Sequence, residues 1–403
     1  MFDRLSLYDS GTITLYTIIV FLSAVFAFFS QKYIGVSYEN EKAFIVEKKN
    51  VLFYFLSFAI AAFFCCFAGV GTDRVSYIRI FEQRSFLNDD IEIGFSVLMN
   101  ILGVVIKDGK IFLSFISFLT LAFEYIGVWK CRKYINPGIS IAIYLGLYYL
   151  QSFDLIRMYF ALSILVLGAW TLFEKKYYGY YIYIVFAMSI HYSIIFVFLA
   201  YSFALLLSNQ KVFNNRRAFW LLAIGSIVVL ISGVTLFQKI AALNFFFVSR
   251  YTSYVELASS PGGLGYKWIF NLVPYFLILG LHRSTYEKNE DHTIYIISIV
   301  YMFVSAILAL MNYSIPGLER ARTTLNMPII IILSYMIERN FILNRTIYKQ
   351  KNFSFEIANK HIIIRRFTMY FLIFTYLIIS LFMYMNGYLR SDGLDFYKFI
   401  WQM

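Results

Sequence analysis

Arginines, one histidine and a few carboxylates stand between the apolar segments of this chain and are the residue types that could do chemistry. A planar guanidinium suits diphosphate and carboxylate groups. Seven arginines fall in loops that the distribution of basic residues predicts to lie outside the cell, namely Arg74, Arg79, Arg84, Arg157, Arg250, Arg320 and Arg322. Their grouping predicts a site for a phosphate-bearing substrate anchored in a membrane. Alternatively, they contact lipid headgroups or pair with Glu82, Glu92 and Glu319.

His191 is the one histidine, of four in the chain, that falls on the same side. A neutral imidazole is a natural general base near pH 7. The other interpretation is a histidine that forms a hydrogen bond between two helices. The residues alone leave both open.

A short polar stretch follows the second apolar segment. Gly71 permits a sharp turn, and Thr72 or Asp73 can cap the helix that follows. Helical spacing places Asp73 and Tyr77 on one face of that helix. A carboxylate and an aromatic ring beside arginines suit a sugar, and Glu92, farther along, can share this role.

The composition shows what kind of protein must position these residues. Of 403 residues, 60% are apolar and 14% charged, and the mean hydropathy is +0.69. Soluble domains average about 25% charged residues. The chain is therefore no soluble enzyme, nucleic-acid-binding domain or disordered scaffold. We predict an all-α, polytopic integral membrane protein with a single transmembrane domain, 1–403.

Apolar segments near the length of a membrane crossing recur along the chain. About twelve spans are predicted, at 12–30, 51–70, 111–129, 137–151, 159–173, 177–190, 192–207, 218–237, 267–282, 293–312, 323–337 and 367–385. Three of them are short, so ten or eleven spans are alternatives.

Lysine and arginine alternate from loop to loop. One set of loops holds 21 of the 35 basic residues, which predicts that this set is cytoplasmic and that both termini are outside. The net charge of +12 then reflects topology and needs no nucleic acid. The long segments are a basic cytoplasmic loop, 338–366, and two outer loops, 71–110 and 238–266. The first outer loop includes an apolar stretch, 91–106, expected to form a helix in the membrane interface.

Three cysteines, Cys65, Cys66 and Cys131, have no metal-binding spacing. Two lie within an apolar segment and the third in a basic loop. We expect neither a disulfide nor a metal site from them.

Five segments carry a family resemblance. They are VGTDRVSYIRIFE (70–82), EIGF (92–95), LIRMYFALSIL (155–165), HYSIIFV (191–197) and GLERART (317–323). On these segments, in this order, the chain resembles the Wzy/EpsG group of bacterial polysaccharide polymerases. It departs from the family pattern at Met158, where glutamine is usual, and at Ile93, where proline is usual.

The resemblance implies a GT-C-like helical architecture in the bacterial inner membrane, with short interfacial helices on the outer face. It implies an O-antigen or exopolysaccharide polymerase that transfers the growing glycan from undecaprenyl diphosphate to the non-reducing end of the next lipid-linked repeat unit. Because the leaving group is already a diphosphate, no cofactor, metal or nucleotide sugar is expected. The implied partners are the lipid-linked oligosaccharide, membrane lipids and a possible co-polymerase that sets chain length.

The resemblance also assigns roles to residues. Those mapped to the donor diphosphate are Arg157, Arg250, Arg320 and Arg322. Those mapped to the sugars are Arg74, Tyr77 and Glu92, together with Asp73. His191 is the expected base for the acceptor hydroxyl, with Asp73 in reserve.

Two other functions remain open. An O-antigen ligase uses the same donor but favours a larger outer loop than the two found here. A lipid-linked oligosaccharide flippase or transporter would place ionisable residues near the bilayer midplane. Glu124 is the clear acidic residue within a predicted span, so the charge pattern favours chemistry at the outer surface.

Overall fold

The chain is mainly helical. A computed structural model describes residues 10–39, 42–83, 91–208, 292–311, 318–326, 330–338, 371–386, 389 and 392–402. The helices are α1 (Ser10–Phe29), α2 (Val51–Cys66), α3 (Thr72–Glu82), α4 (Ile93–Val105), α5 (Gly109–Lys130), α6 (Pro137–Leu147), α7 (Ile156–Gly168), α8 (Trp170–Phe173), α9 (Tyr177–Ile190), α10 (Ile195–Ser208), α11 (His292–Met311), α12 (Leu318–Asn326), α13 (330–338) and α14 (Phe371–Asn386).

Three apolar stretches are long enough to cross a membrane, namely Ser10–Phe29, Gly109–Lys130 and Ile156–Phe173, and shorter apolar helices accompany them. These helices confirm a helical membrane protein. The predicted spans 218–237 and 267–282, the outer loop 238–266 and most of the basic loop 338–366 lie outside the described residues. The total of twelve spans and the GT-C-like architecture stay predictions.

A hairpin adds strands to the predicted all-helical fold. The strands β1 (Gln31–Glu39) and β2 (Lys42–Lys49) pair antiparallel, with Gln31 opposite Lys49 and Glu39 opposite Lys42. The hairpin joins α1 to α2 in a segment that the sequence predicts as a basic loop.

The chain divides into two compact units. Unit 1 comprises Met1–His191 and Ile330–Met403, and unit 2 comprises Tyr192–Ile329. In unit 1, α1 packs on α2 and α6, α5 on α2 and α7, and α7 on α9. In unit 2, α10 packs on α11 and α12.

Small and polar side chains join the helices of unit 1 within their apolar region. A Cβ atom on Gly127 would lie 2.5 Å from the Val166 carbonyl oxygen, so α5 and α7 approach closely there. The Ser57 hydroxyl donates to the Ser23 carbonyl over 2.7 Å. Such contacts satisfy polar groups where lipid offers none.

One end of the unit 1 helices is basic and aromatic. Tyr134 donates to Glu174 over 3.1 Å, which joins the loop after α5 to the end of α8. Lys130 and Lys176 lie 5.7 and 5.2 Å from the ring centroid of Trp170. Both loops belong to the predicted cytoplasmic set, and the side of the membrane on which they lie stays a prediction.

The apolar stretch 91–106 contains a helix, as the sequence predicts, and this helix is α4. It buries Phe95 and Met99 but exposes Ile93, Ile101 and Val104. An exposed apolar face is typical of a helix that lies in a membrane interface.

Candidate functional site

Four of the predicted site residues lie together at one end of the unit 1 helices. They are Tyr77, Glu92, Arg157 and His191. They come from the middle of α3, the residue before α4, the first turn of α7 and the residue after α9. We call these four residues the polar cluster.

The carboxylate of Glu92 bonds to both Arg157 and His191 in the polar cluster. One oxygen, Oε2, accepts a hydrogen bond from Arg157 Nη1, and the other, Oε1, lies 3.2 Å from His191 Nδ1. The Glu92 side chain is only 4% exposed, and its two partners are mostly buried. Arginine pairing with Glu92 and histidine bonding between helices were the alternatives that the sequence left open, and the structure contains both.

Tyr77 contacts the same arginine. Its hydroxyl accepts a hydrogen bond from Arg157 Nε, and the guanidinium carbon lies 5.0 Å from the ring centroid. The ring also packs edge-on against Phe95, with centroids 6.0 Å apart. These contacts fix the orientation of the guanidinium.

The charges of the polar cluster determine the protonation state of Glu92. Burial alone would raise the pKa of its carboxyl, but the hydrogen bond with His191 and the charge of Arg157 outweigh burial. The pKa falls from an ordinary 4.5 to about 2. Glu92 is therefore ionised throughout the physiological pH range.

Tyr77 is neutral over the same range. Burial raises the pKa of its phenol to about 12, against the opposing charge of Arg157. The negative charge of Asp73 also raises this pKa, so the half-buried Asp73 carboxylate acts electrostatically on Tyr77.

Close packing brings Glu92 to His191. A Cβ atom on Gly94 would lie 2.8 Å from the main-chain carbon of Ser189. The first turn of α4 therefore rests directly on the last turn of α9. The side chains just before α4 and just after α9 meet as a result.

The helix that carries Tyr77 begins differently from the prediction. Thr72 or Asp73 was expected to cap α3, but both lie within the helix, which starts at Thr72 after Gly71. The carboxylate oxygen Oδ1 of Asp154 accepts from Thr72 N and Thr72 Oγ1, both over 2.7 Å, and from Asp73 N over 3.3 Å. Gly71 turns the chain with φ +112°, and a Cβ atom there would lie 2.6 Å from the Phe153 carbonyl oxygen.

Asp154 is a residue that sequence reasoning missed. It lies three residues before Arg157, so one carboxylate ties the start of α3 to the start of α7. Nothing near Thr72 in the sequence marks Asp154 as its partner, because the two are 82 residues apart.

Arg74 was expected among the sugar ligands, and the structure places it elsewhere. Its side chain is 0% exposed. It donates to the carbonyls of Phe153 and Cys65 over 3.2 and 3.1 Å and to the Ser117 hydroxyl over 3.3 Å. A buried side chain bonded to main-chain carbonyls cannot contact a sugar at the surface, so Arg74 leaves the candidate site.

The remaining predicted arginines do not belong to unit 1. Arg320 and Arg322 lie on α12 in unit 2, the first exposed and the second 3% exposed. On the same helix, Thr324 Oγ1 donates to the Ala321 carbonyl over 2.6 Å. Arg250 lies outside the described residues.

Metal-ligating residues are not grouped in the described part of the chain, where no three His, Cys, Asp or Glu side chains are placed to hold an ion. The cysteines Cys65, Cys66 and Cys131 are buried and do not form disulfides.

The comparison with protein families decides the class of the protein. The model described as EpsG family matches residues 50–358. The chain belongs to the EpsG family. It is therefore a membrane enzyme of the polysaccharide-polymerase type. The whole polar cluster lies within the matched span, whereas α1 and residues 392–402 lie outside it. No curated protein and no solved structure matches the chain.

Proposed function

We propose that this EpsG-family protein is a bacterial polysaccharide polymerase of the outer face of the cytoplasmic membrane. It transfers the growing glycan from undecaprenyl diphosphate to the non-reducing end of the next lipid-linked repeat unit. The observation that supports this proposal is the carboxylate of Glu92 bridging Arg157 and His191.

His191 is the general base in this reaction. When its Nδ1–H donates to Glu92, the lone pair of the imidazole is on Nε2, which takes the proton of the acceptor hydroxyl. The acceptor oxygen then forms a bond to the anomeric carbon of the donor. The bond from that carbon to the phosphate oxygen breaks, and the lipid diphosphate leaves with the electron pair.

Glu92 orients the base and is not itself the base. A carboxylate with a pKa of about 2 takes up a proton poorly near neutral pH. Its negative charge instead stabilises the imidazolium that forms when His191 is protonated. Asp73 is the reserve candidate for the base.

The arginines divide into two groups in this proposal. Glu92 compensates the charge of Arg157, whose role is to fix the carboxylate and the Tyr77 phenol. The positive charge for the departing diphosphate comes mainly from Arg250, Arg320 and Arg322. Asp73, half-buried one helical turn before Tyr77, contacts the sugars. Tyr77 itself is buried, as Arg74 is, and orients Arg157 instead.

Purified protein supplied with lipid-linked repeat units in the presence of a chelator tests this function. We expect a ladder of polymerised products on a gel, because the diphosphate leaving group and the arginines need no metal. His191→Gln should slow ladder formation by about 100-fold or more. His361→Gln, in the predicted cytoplasmic loop, is the matched control and should form the wild-type ladder.

Three results would contradict parts of the proposal. Strict dependence on an added divalent ion would exclude the arginine mechanism. A normal ladder from His191→Gln would transfer the role of base to another residue. In cells, deletion of the gene should leave single repeat units attached to the lipid core. If no repeat unit is attached after the deletion, the protein is a ligase and not a polymerase.

A further inference from the structure

The C-terminal segment 392–402, here called the tail, is bonded to the junction between α2 and α3. Gly69 N donates to the Lys398 carbonyl over 2.7 Å, and Gly71 N donates to the Gly393 carbonyl over 3.1 Å. In the other direction, Ile400 N donates to the Phe67 carbonyl over 2.8 Å. The main chain of the tail therefore runs along the main chain of the junction.

Aromatic side chains pack the tail onto the two neighbouring helices. Tyr397 lies edge-on to Tyr16 of α1, with ring centroids 5.8 Å apart, and its hydroxyl donates to the Phe64 carbonyl of α2 over 3.1 Å. Phe399 stacks on Trp401 with centroids 4.4 Å apart, and Trp401 contacts Phe67. The tail is thus fixed by side chains as well as by its main chain.

The junction is a segment that needs such partners. Its two glycines have more backbone freedom than other residues, and Gly71 is in the left-handed region. A Cβ atom on Gly69 would lie 2.6 Å from the Phe399 carbonyl oxygen, so the tail approaches as closely as a glycine permits. Immediately after the junction, α3 begins and carries Asp73 and Tyr77.

We infer that the tail is a positioning element of the polymerase site. It fixes the junction so that α3 starts in one direction and Tyr77 meets Arg157. This inference rests on the proposed function for its consequence in catalysis. The tail lies outside residues 50–358, the span that matches the family. The segment that positions α3 is therefore not part of the family match.

The first test compares the full chain with a chain that ends at Gly387. Deletion should lower kcat for polymerisation by about tenfold or more and change KM by less than about threefold, because misplaced groups slow the chemical step. Hydrogen exchange should accelerate at the amides of 69–75, whereas the amides in the centre of α5 should keep their rates.

A point substitution provides the same test with less disturbance. Gly393 has φ +65°, and a Cβ atom there would lie 3.1 Å from Thr72 Cγ2. Gly393→Ala should therefore lower kcat and accelerate exchange at the junction, by less than the deletion does. Gly179→Ala is the matched control, since its new Cβ would meet no atom closer than 3.8 Å. If the shortened chain does not accumulate in membranes, the comparison of Gly393→Ala with Gly179→Ala tests the role of the tail instead.

Unchanged kcat and unchanged exchange in Gly393→Ala would overturn the inference. So would exchange that accelerates equally in α5, because the tail would then stabilise the whole unit. If the full chain forms no polymer and exchange still accelerates only at the junction, the proposed function fails but the structural role of the tail stands.

Discussion

Arg74 and Arg157 lie in neighbouring regions of unit 1 but bond to different kinds of groups. Arg74 donates to the main-chain carbonyls of Cys65 and Phe153, which cannot change their charge. Arg157 donates to the carboxylate of Glu92 and to the phenol of Tyr77. Both arginines belong to the outer set that the sequence singles out, and only one lies beside groups suited to proton transfer.

The difference shows how to distinguish a structural arginine from a functional one. The Cys65 carbonyl lies at the C-terminal end of α2, where the helix dipole favours a cation. The Arg74 guanidinium therefore joins α2, α3 and the turn before α7. Through Glu92, the Arg157 guanidinium is coupled to an imidazole, and a change there alters chemistry more than folding.

The largest expected effect is the loss of protein stability when Arg74, but not Arg157, is replaced. Arg74→Ala leaves two buried carbonyls without their donor and creates a cavity, at a cost of about 3 kcal/mol or more. The variant should be nearly absent from membranes, whereas Arg157→Ala should accumulate to a clearly higher level, because the Glu92 carboxylate keeps its bond to His191. Quantitative immunoblots and thermal unfolding in detergent measure this. Equal losses in both variants would contradict the distinction.

The next effect concerns the carboxylate that Arg157 binds. Glu92→Gln keeps the shape of the side chain but removes the charge that orients and stabilises the histidine. We expect a loss in kcat of about 100-fold in the ladder assay. Glu174→Gln is the matched control, because it also replaces a carboxylate that accepts a side-chain hydrogen bond, here from Tyr134 at the opposite end of the helices. Wild-type activity in Glu92→Gln would remove Glu92 from the mechanism.

A smaller effect is expected from Asp154, which connects the start of α3 to the start of α7. Asp154→Ala removes the acceptor of three hydrogen bonds at the start of α3 and should lower the polymerisation rate by about tenfold. Asp154→Asn retains an oxygen at the same place and should recover most of that rate. If both variants lose activity equally, the charge of Asp154 matters and the residue takes part in the chemistry.

The smallest effect is a dependence of stability on pH. Because the folded-state pKa of Glu92 is about 2, below its ordinary 4.5, its ionised form stabilises the fold. This contribution is complete above the unfolded-state pKa and is lost as the pH falls from 4.5 towards 2. Between pH 7 and pH 4 the loss is about 1 kcal/mol. Thermal unfolding at both values should show a larger loss in the wild type than in Glu92→Gln, and the difference is the contribution of Glu92.

The sequence could single out four polar residues at the ends of apolar segments, which the structure brings together. Tyr77, Glu92, Arg157 and His191 are polar residues in an apolar chain, and charge bias predicted that they share one side of the membrane. Hydropathy likewise predicted helices such as α1 and α5, because a helix satisfies its own backbone in lipid.

The positions of Arg74 and Asp154 could not be predicted. Arg74 lies on the same short helix as Tyr77, and sequence spacing does not show which face of α3 turns inwards. Asp154 caps a helix that begins 82 residues earlier, and only tertiary packing brings the two together. The hairpin of β1 and β2 was missed because its lysines suggested a solvated loop.

The contact between the two ends of the described chain also limits how the polypeptide threads the bilayer. Tyr397 N donates to Thr12 Oγ1 over 2.9 Å, and Tyr16 OH donates to the Leu394 carbonyl over 3.2 Å. Residues that bond directly lie at the same depth and on the same side of a membrane. A chain that leaves and returns to one side must cross an even number of times. To keep this contact, a variant that loses one crossing between Thr12 and Tyr397 must lose a second one as well.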